Sequence, residues 1–410
     1  MTSAPTPATE VAAPEPTLLR AAQVITALDQ DPIEDGAIRI AGGRILAVDT
    51  AARLGIEDGE TVRDLGDATL LPGLIDAHEH LSGHDRYAIG DPSVQEPDMM
   101  FALVGTYHCR RLLDEGITTA RIPGTPGHID LRIRRAIAEG YVDGPRLVCA
   151  GRNLSMTGGH GSEGGLEVDG PEEARKAARA QLKAGADLIK VMASGGVGIT
   201  REGEEPSQPE LTVDEMQAAV EVMHAAGRRS TAHADGVPGI SNALEAGIDC
   251  IEHGIYLHAD HARFMADHDV ALVPTLSTMV AIHDHGLEYG MPESWIPIAA
   301  AILEPHRESF RHALEAGVMF ATGTDGFGNI VDEITIFTTF GVSPYRAIQA
   351  ATRDAARVIG PRADYGTLEA GRAADIIAVG GDPLTDLERL RDVRLVITAG
   401  HVRRDRTTGA

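Results

Sequence analysis

The chain has 410 residues, 43% hydrophobic and 24% charged, the make-up of a soluble globular protein with room for one large core and a smaller one. Its 36 Lys and Arg face 61 Asp and Glu, and the resulting net charge of −25 argues against nucleic acid or an anionic membrane as a partner. No apolar run reaches the ~18–20 residues of a membrane span, and Cys109, Cys149 and Cys250 fall in no C-x-x-C spacing, so a reducing cytoplasm without a disulfide framework is expected.

Residues 1–16, "MTSAPTPATEVAAPEP", carry no Lys or Arg and no apolar centre; they read as a disordered tail and not as a signal peptide. Residues 17–68 hold "AAQVITAL", "GAIRIAGGRILAVD" and "ETVRDLG", short strands divided by Gly and Asp turns. Residues 69–363 change texture. Eight short apolar or β-branched runs follow one another: 69–78, 116–124, 145–151, 186–194, 228–235, 247–254, 270–276 and 318–325. Between them lie amphipathic stretches such as "PEEARKAARAQLKAGA" and "TVDEMQAAVEVMHAAG", apolar at helical spacing and closed by Gly. This alternation predicts an α/β fold, most simply a (β/α)8 TIM barrel. A doubly wound open sheet gives a similar alternation, but no G-x-G-x-x-G follows an early strand. Residues 364–410 resume the β texture with "GTLEAGRAADIIAVGG" and "VRLVITAGHVRR". The two ends, 17–68 and 364–410, are therefore expected to build one small β-domain beside the barrel.

Chemistry in such barrels gathers at the C-terminal ends of the strands. In "LPGLIDAHEHL", His78 and His80 are two residues apart, so on a strand they share a face while Glu79 points away. Two imidazoles on one face can chelate a metal ion, although an isolated His-x-His is more often a pair of satisfied histidines. The other strand ends add Lys190, His233, His253 and Asp325. Lys190 stands inside "DLIKVMAS", a poor place for an ammonium ion unless something neutralises it.

In their order, "GRILAVD", "LPGLIDAHEHL", "KVMASGG", "AHADG", "IEHG", "GTD" and "GTLEAGRAADIIAV" make the chain resemble the amidohydrolase superfamily, within it the imidazolonepropionase- and prolidase-like branch. The resemblance implies a distorted (β/α)8 barrel with a small β-sandwich built from both termini. It also implies two divalent metal ions, usually Zn, with Mn, Co or Fe as alternatives. His78, His80 and Asp325 would bind the more buried ion, His233 and His253 the outer one, and an N6-carboxylated Lys190 would bridge them. Hydrolysis of a C–N bond in an amide, dipeptide or N-acyl amino acid would proceed through a metal-bridging hydroxide. Asp325 would pass the proton to the departing nitrogen, and His160 in "MTGGHG" would donate to the substrate carbonyl. Branch members are homo-oligomers, often octamers.

Asp235, in "AHADG", departs from relatives that carry an aromatic residue or His there. An acidic group at that point disfavours a substrate carboxylate and favours a neutral amide, urea or carbamate, unless Arg152 or Arg201 compensates. Tyr256 could reach the mouth or pack beside the rim. Glu202, Glu204 and Glu205 fall in the acidic loop 200–210, which reads as solvated. A carbamate or phenylurea-type hydrolase is the alternative activity. A cyclic amidine deaminase fits less well, because such relatives use one metal and lack the strand-four lysine. A non-catalytic scaffold would have lost ligands first.

Overall fold

A computed structural model describes residues 16–81, 98–197, 204–360 and 363–407. The expected tail up to residue 15, Arg201 and Glu202 lie outside the described residues. Five strands open the fold: β1 (Thr17–Val24), β2 (Ile33–Ala41), β3 (Arg44–Thr50), β4 (Thr61–Asp64) and β5 (Ala68–Pro72). Gly42 and Gly43 join β2 to β3 in a two-residue turn with φ of 55° and 78°, a conformation glycine adopts without strain.

Nine parallel-pairing strands follow: β6 (Leu74–Asp76), β7 (Ile117–Ile122), β8 (Arg146–Cys149), β9 (Leu154–Ser155), β10 (Leu166–Glu167), β11 (Leu188–Met192), β12 (Arg229–Ala234), β13 (Cys250–His253) and β14 (Ala271–Val273). They form a three-stranded sheet, β6-β7-β8, and a six-stranded sheet, β10-β9-β11-β12-β13-β14. Helices stand between them as the periodicity predicts. The helix Pro171–Ala184 starts on a proline, buries Ala174, Ala177 and Ala178, and stops at Gly185 with φ of 101°. The helix Val213–Ala225 is opened by a capping box between Thr212 and Glu215. The protein is thus α/β.

The chain closes with β15 (Ile376–Gly380), β16 (Val393–Thr398) and β17 (His401–Asp405). These join the opening strands in one eight-stranded sheet, β17-β16-β15-β5-β1-β2-β3, with β4 beside β1. Both termini therefore share a single sheet, filled on its inner side by residues such as Leu19, Ile38, Ile45, Leu70, Ile376 and Leu395.

Two expected strands differ. The run 69–78 divides at Gly73: β5 pairs with β15 in the terminal sheet, whereas β6 pairs with β7. A Cβ at Gly73 would overlap the Thr118 side chain, so only glycine lets the chain cross between the two sheets here. The run 318–325 forms no strand beyond an isolated parallel bridge from Phe320 to Leu272. It is tied on its other side by Ala77 N–H to Thr322 O at 2.9 Å. Among the described residues, no helix is long and apolar enough to cross a membrane.

Candidate metal centre

His78 and His80 lie past the end of β6, so the strand alternation does not place them. Hydrogen bonds do. Asp76 Oδ1 accepts the N–H groups of His78 (3.0 Å) and Thr324 (3.2 Å), and His78 O accepts those of Thr324 (3.1 Å) and Asp325 (2.7 Å). The first and last of the eight runs are thereby stitched together where their functional side chains begin. Thr324 Oγ1 is 2.6 Å from Asp76 Oδ2 and 3.0 Å from Glu79 Oε2, yet a hydroxyl has one proton to donate. Burial and then Glu79 push the Asp76 carboxyl well above the usual range.

Each imidazole is held through one nitrogen, which leaves the other free. His78 Nδ1 meets Glu252 Oε2 at 2.7 Å, His80 Nδ1 meets Gly124 O at 3.2 Å, and His253 Nδ1 meets Thr275 Oγ1 at 2.7 Å. His233 is the exception: its Nε2 faces Gly195 O at 3.0 Å. The freed nitrogens converge. His78 Nε2 and His80 Nε2 are 3.2 Å apart, and Asp325 Oδ1 is 3.2 Å from the first and 3.1 Å from the second. Ring centroids of His78 and His253, and of His253 and His233, are 4.9 Å apart.

Backbone conformation brings His253 into this group. Glu252 and His253 are neighbours in β13, so an extended chain would send them to opposite faces. His253 has φ of 62°, and Asp325 has φ of 51°, both in the left-handed region that non-glycine residues rarely occupy. Such bends persist only where the surroundings over-determine them.

Lys190 and His233 sit on neighbouring strands, in register with Thr231 and Glu252 respectively. Lys190 is buried, and desolvation lowers its ammonium below the ordinary range. Burial, then His160 and Lys190, hold His233 well below the usual imidazole value; burial does the same to His253. Burial alone would raise Asp325, but His78 and His80 take its carboxyl well below the usual range. Desolvation opposes protonation of His80, yet Asp325 raises it. His80 and Asp325 keep 31% and 19% side-chain exposure, which marks the open side of the group.

The remaining candidates divide. His160 stacks on His233 with centroids 4.4 Å apart and meets Glu204 Oε1 through Nδ1 at 2.7 Å. Glu204 corrects the solvated-loop reading: its side chain is buried, and it also accepts Gly196 N–H at 3.1 Å. Glu205 is exposed, as a loop residue should be. Asp235 is buried beside His233, with Oδ2 3.3 Å from Nε2, and its Oδ1 has no partner among the described residues. Burial, then Asp325, push its carboxyl well above the usual range. Tyr256 is half-buried against an apolar cluster with Ile255 and Met279, its N–H bonded to Asp235 O at 2.9 Å. Arg152 is turned elsewhere: its guanidinium donates to the carbonyls of Gly164 (3.0 Å) and Gly165, so it anchors that loop.

Sequence reasoning missed Glu252 and Arg121. Both are buried; Arg121 donates to Glu252 and to Ala77 O. The signal was present, for a cation inside the apolar run "GITTARIPG" raises the same difficulty as Lys190 does.

Donor atoms of His78, His253 and Asp325 lie within 4.8 Å of one another. Imidazole nitrogens and a carboxylate oxygen at that spacing suit a divalent transition metal. The residues present fit the ion that the resemblance implies. They also place His253 beside His78 and Asp325, and not only beside His233 as the expected division into two sites has it.

The Amidohydrolase family model matches residues 69–403. Ochratoxinase of Aspergillus niger is 31% identical over 361 residues, covering 80% of this chain and 73% of that enzyme. A crystal structure of a Xaa-Pro dipeptidase with bound methionine in the active site superposes with a TM-score of 0.86 at 30% identity, covering 94% of this chain and 99% of the other. A prolidase complexed with N-methylphosphonate-L-proline gives a TM-score of 0.86 at 28% identity over the same shares. The match spans the parallel strands, β15, β16 and every residue of the imidazole group, and the chain belongs to the amidohydrolase family.

Proposed function

We propose that the protein is a metal-dependent hydrolase cleaving the C–N bond of an amide, in a dipeptide or an N-acyl amino acid. The observation that carries this reading is the convergence of His78, His80, His253 and Asp325 on one point, with Lys190 buried beside them. A dipeptidase and a prolidase among the relatives support the choice of substrate. His78, His80 and Asp325 would hold one divalent ion and His233 and His253 a second, with Lys190 carboxylated between them; zinc is the metal of choice. Such ions, when bound, supply an acidified water and an electrophile for the scissile carbonyl.

The chain's own residues do the rest. Asp325, kept ionised by His78 and His80, accepts the proton of the attacking water and returns it to the departing nitrogen. His160, fixed by its stack on His233 and by Glu204, orients the carbonyl. Asp235 Oδ1, without a partner among the described residues, is available to an N–H of the substrate. Tyr256 would border the site. The parallel strands would be arcs of a distorted (β/α)8 barrel over residues 69–363, a closure that the Ala77–Thr322 and Leu272–Phe320 links support. The terminal sheet would curl into a β-sandwich from 17–68 and 364–410. A homo-oligomer in the cytoplasm, acting on a small molecule and not on nucleic acid or membranes, completes the reading.

A urea or carbamate substrate is the second reading. One observation favours it: the buried Asp235 Oδ1, without a partner among the described residues, offers an acceptor to a neutral N–H. The test is a panel assayed with zinc- or manganese-loaded protein: dipeptides, N-acyl amino acids with their matched amides, arylureas and carbamates. Turnover of dipeptides or N-acyl amino acids supports the first reading. Turnover of ureas or carbamates alone favours the second, and simple deamination of an aminated ring overturns both.

A further inference from the structure

We propose that Glu252, held by Arg121, is a positioning residue for His78, and through it for the metal site; this rests on the metal-dependent reading above. The backings of the four imidazoles assigned to metal are unequal. Those of His80 and His253 are neutral oxygens, Gly124 O and Thr275 Oγ1, and His233 Nε2 is shared between Gly195 O at 3.0 Å and Asp235 Oδ2 at 3.3 Å. His78 Nδ1 meets a carboxylate at 2.7 Å, and that carboxylate, unlike Asp235, is itself held by a guanidinium.

The two oxygens of Glu252 have separate tasks. Oε1 receives Arg121 Nη2 and the Thr231 hydroxyl, with Cys250 Sγ at 3.4 Å, whereas Oε2 faces His78 Nδ1. Arg121 also donates through Nε to Ala77 O, the carbonyl just before His78. One guanidinium therefore fixes both the backbone that leads into His78 and the carboxylate behind its ring. Arg121 and the Thr231 hydroxyl occupy Oε1, so Oε2 is the oxygen left to accept the Nδ1 proton of His78. The lone pair is left on Nε2, the nitrogen turned toward His80 and Asp325.

Stability alone does not account for the pair. A buried Arg–Glu pair is often no better than apolar residues of the same size, because desolvating two charges offsets their attraction. Its retention beneath His78 is explained if it sets that ligand's tautomer and angle.

The two roles separate experimentally. Arg121→Met/Glu252→Met removes both charges together and leaves no unpaired ion. Arg121→Met/Glu252→Gln does the same but keeps an oxygen acceptor for His78 Nδ1. Arg121→Lys keeps the charge and loses the fork that holds Ala77 and Glu252 at once. The readouts are the Zn2+ dissociation constant by chelator competition, the visible spectrum of the Co2+-loaded protein, and the melting temperature without metal.

Zn2+ binding about 10–100-fold weaker in the double-methionine variant is expected, with an altered Co2+ spectrum and largely retained melting temperature. The glutamine partner should recover most of the affinity, and Arg121→Lys should bind Zn2+ about tenfold more weakly than wild type. Wild-type affinity and spectrum in the double-methionine variant or in Arg121→Lys overturn the proposal, as does equal loss in both doubles. Wild-type protein that binds no Zn2+ or Co2+ sinks the metal-dependent reading itself, an outcome distinct from wild-type binding that the variants leave untouched.

Discussion

The terminal sheet and the ends of the parallel strands obey different rules. In the sheet, apolar burial prevails: Leu19, Ile38, Ile45 and Leu395 are buried against one another, and the buried Arg39 is held by Glu60 and Glu57. At the parallel strand ends, Asp76, His78, Lys190, Asp235 and Glu252 are all buried in the space that leucines and valines would otherwise fill. His253, Thr275 and Asp325 add left-handed backbone there. The first region is what burial of apolar surface builds unaided. The second has a polar interior that costs stability unless a ligand or a reaction makes use of it.

Substitutions in the two regions should therefore fail in different ways. The largest effect is expected at Asp325. Asp325→Asn should lower kcat beyond the ~10²–10⁴ typical of a lost general acid–base, because a metal ligand is weakened as well, while the protein melts nearly as wild type does. Steady-state kinetics beside a thermal melt reads this, and near-normal turnover would remove Asp325 from the reaction.

In the terminal sheet the order reverses. Ile38→Ala should cost about 2–5 kcal/mol of stability through the cavity it leaves, with kcat per folded molecule unchanged. Denaturant unfolding with an activity assay decides it; a large kcat loss in the folded variant would tie the sheet to the chemistry.

A smaller, local effect tests the packing under His160. The ring lies against Gly196, where an added methyl would collide with it. Gly196→Ala should shift the ring and lower kcat roughly 10–100-fold with bound metal unchanged. Unaltered kinetics would show that the position of His160 does not matter. The smallest effect is expected at Leu46, half-exposed on β3, where Leu46→Ser should alter stability by no more than about 0.5 kcal/mol and activity not at all.

The sequence was legible where a residue type clashed with its surroundings. Lys190 in an apolar run and a histidine at successive strand ends marked the group that the fold assembles. The terminal sheet was legible because short strands divided by Gly and Asp turns recur at both ends. The division at Gly73 was not, since "TLLPGLIDAH" is apolar throughout and the crossing depends on Thr118, a contact distant in sequence. Glu204 was misread for a similar reason: an acidic loop looks solvated until His160 and Gly196 are brought against it. His253 was named correctly as a strand end, but its facing depends on one positive φ that no periodicity encodes. Distances, bends and long-range partners belong to tertiary structure, and they decided every point the pattern left open.

The central claim, that these buried polar groups exist to hold divalent metal, is tested most directly by elemental analysis. Protein purified with bicarbonate is measured, stripped with a chelator, and reloaded with zinc against the substrates above. About two divalent ions per chain, activity lost on stripping and activity restored by zinc are expected. Full activity in metal-free protein would contradict the claim.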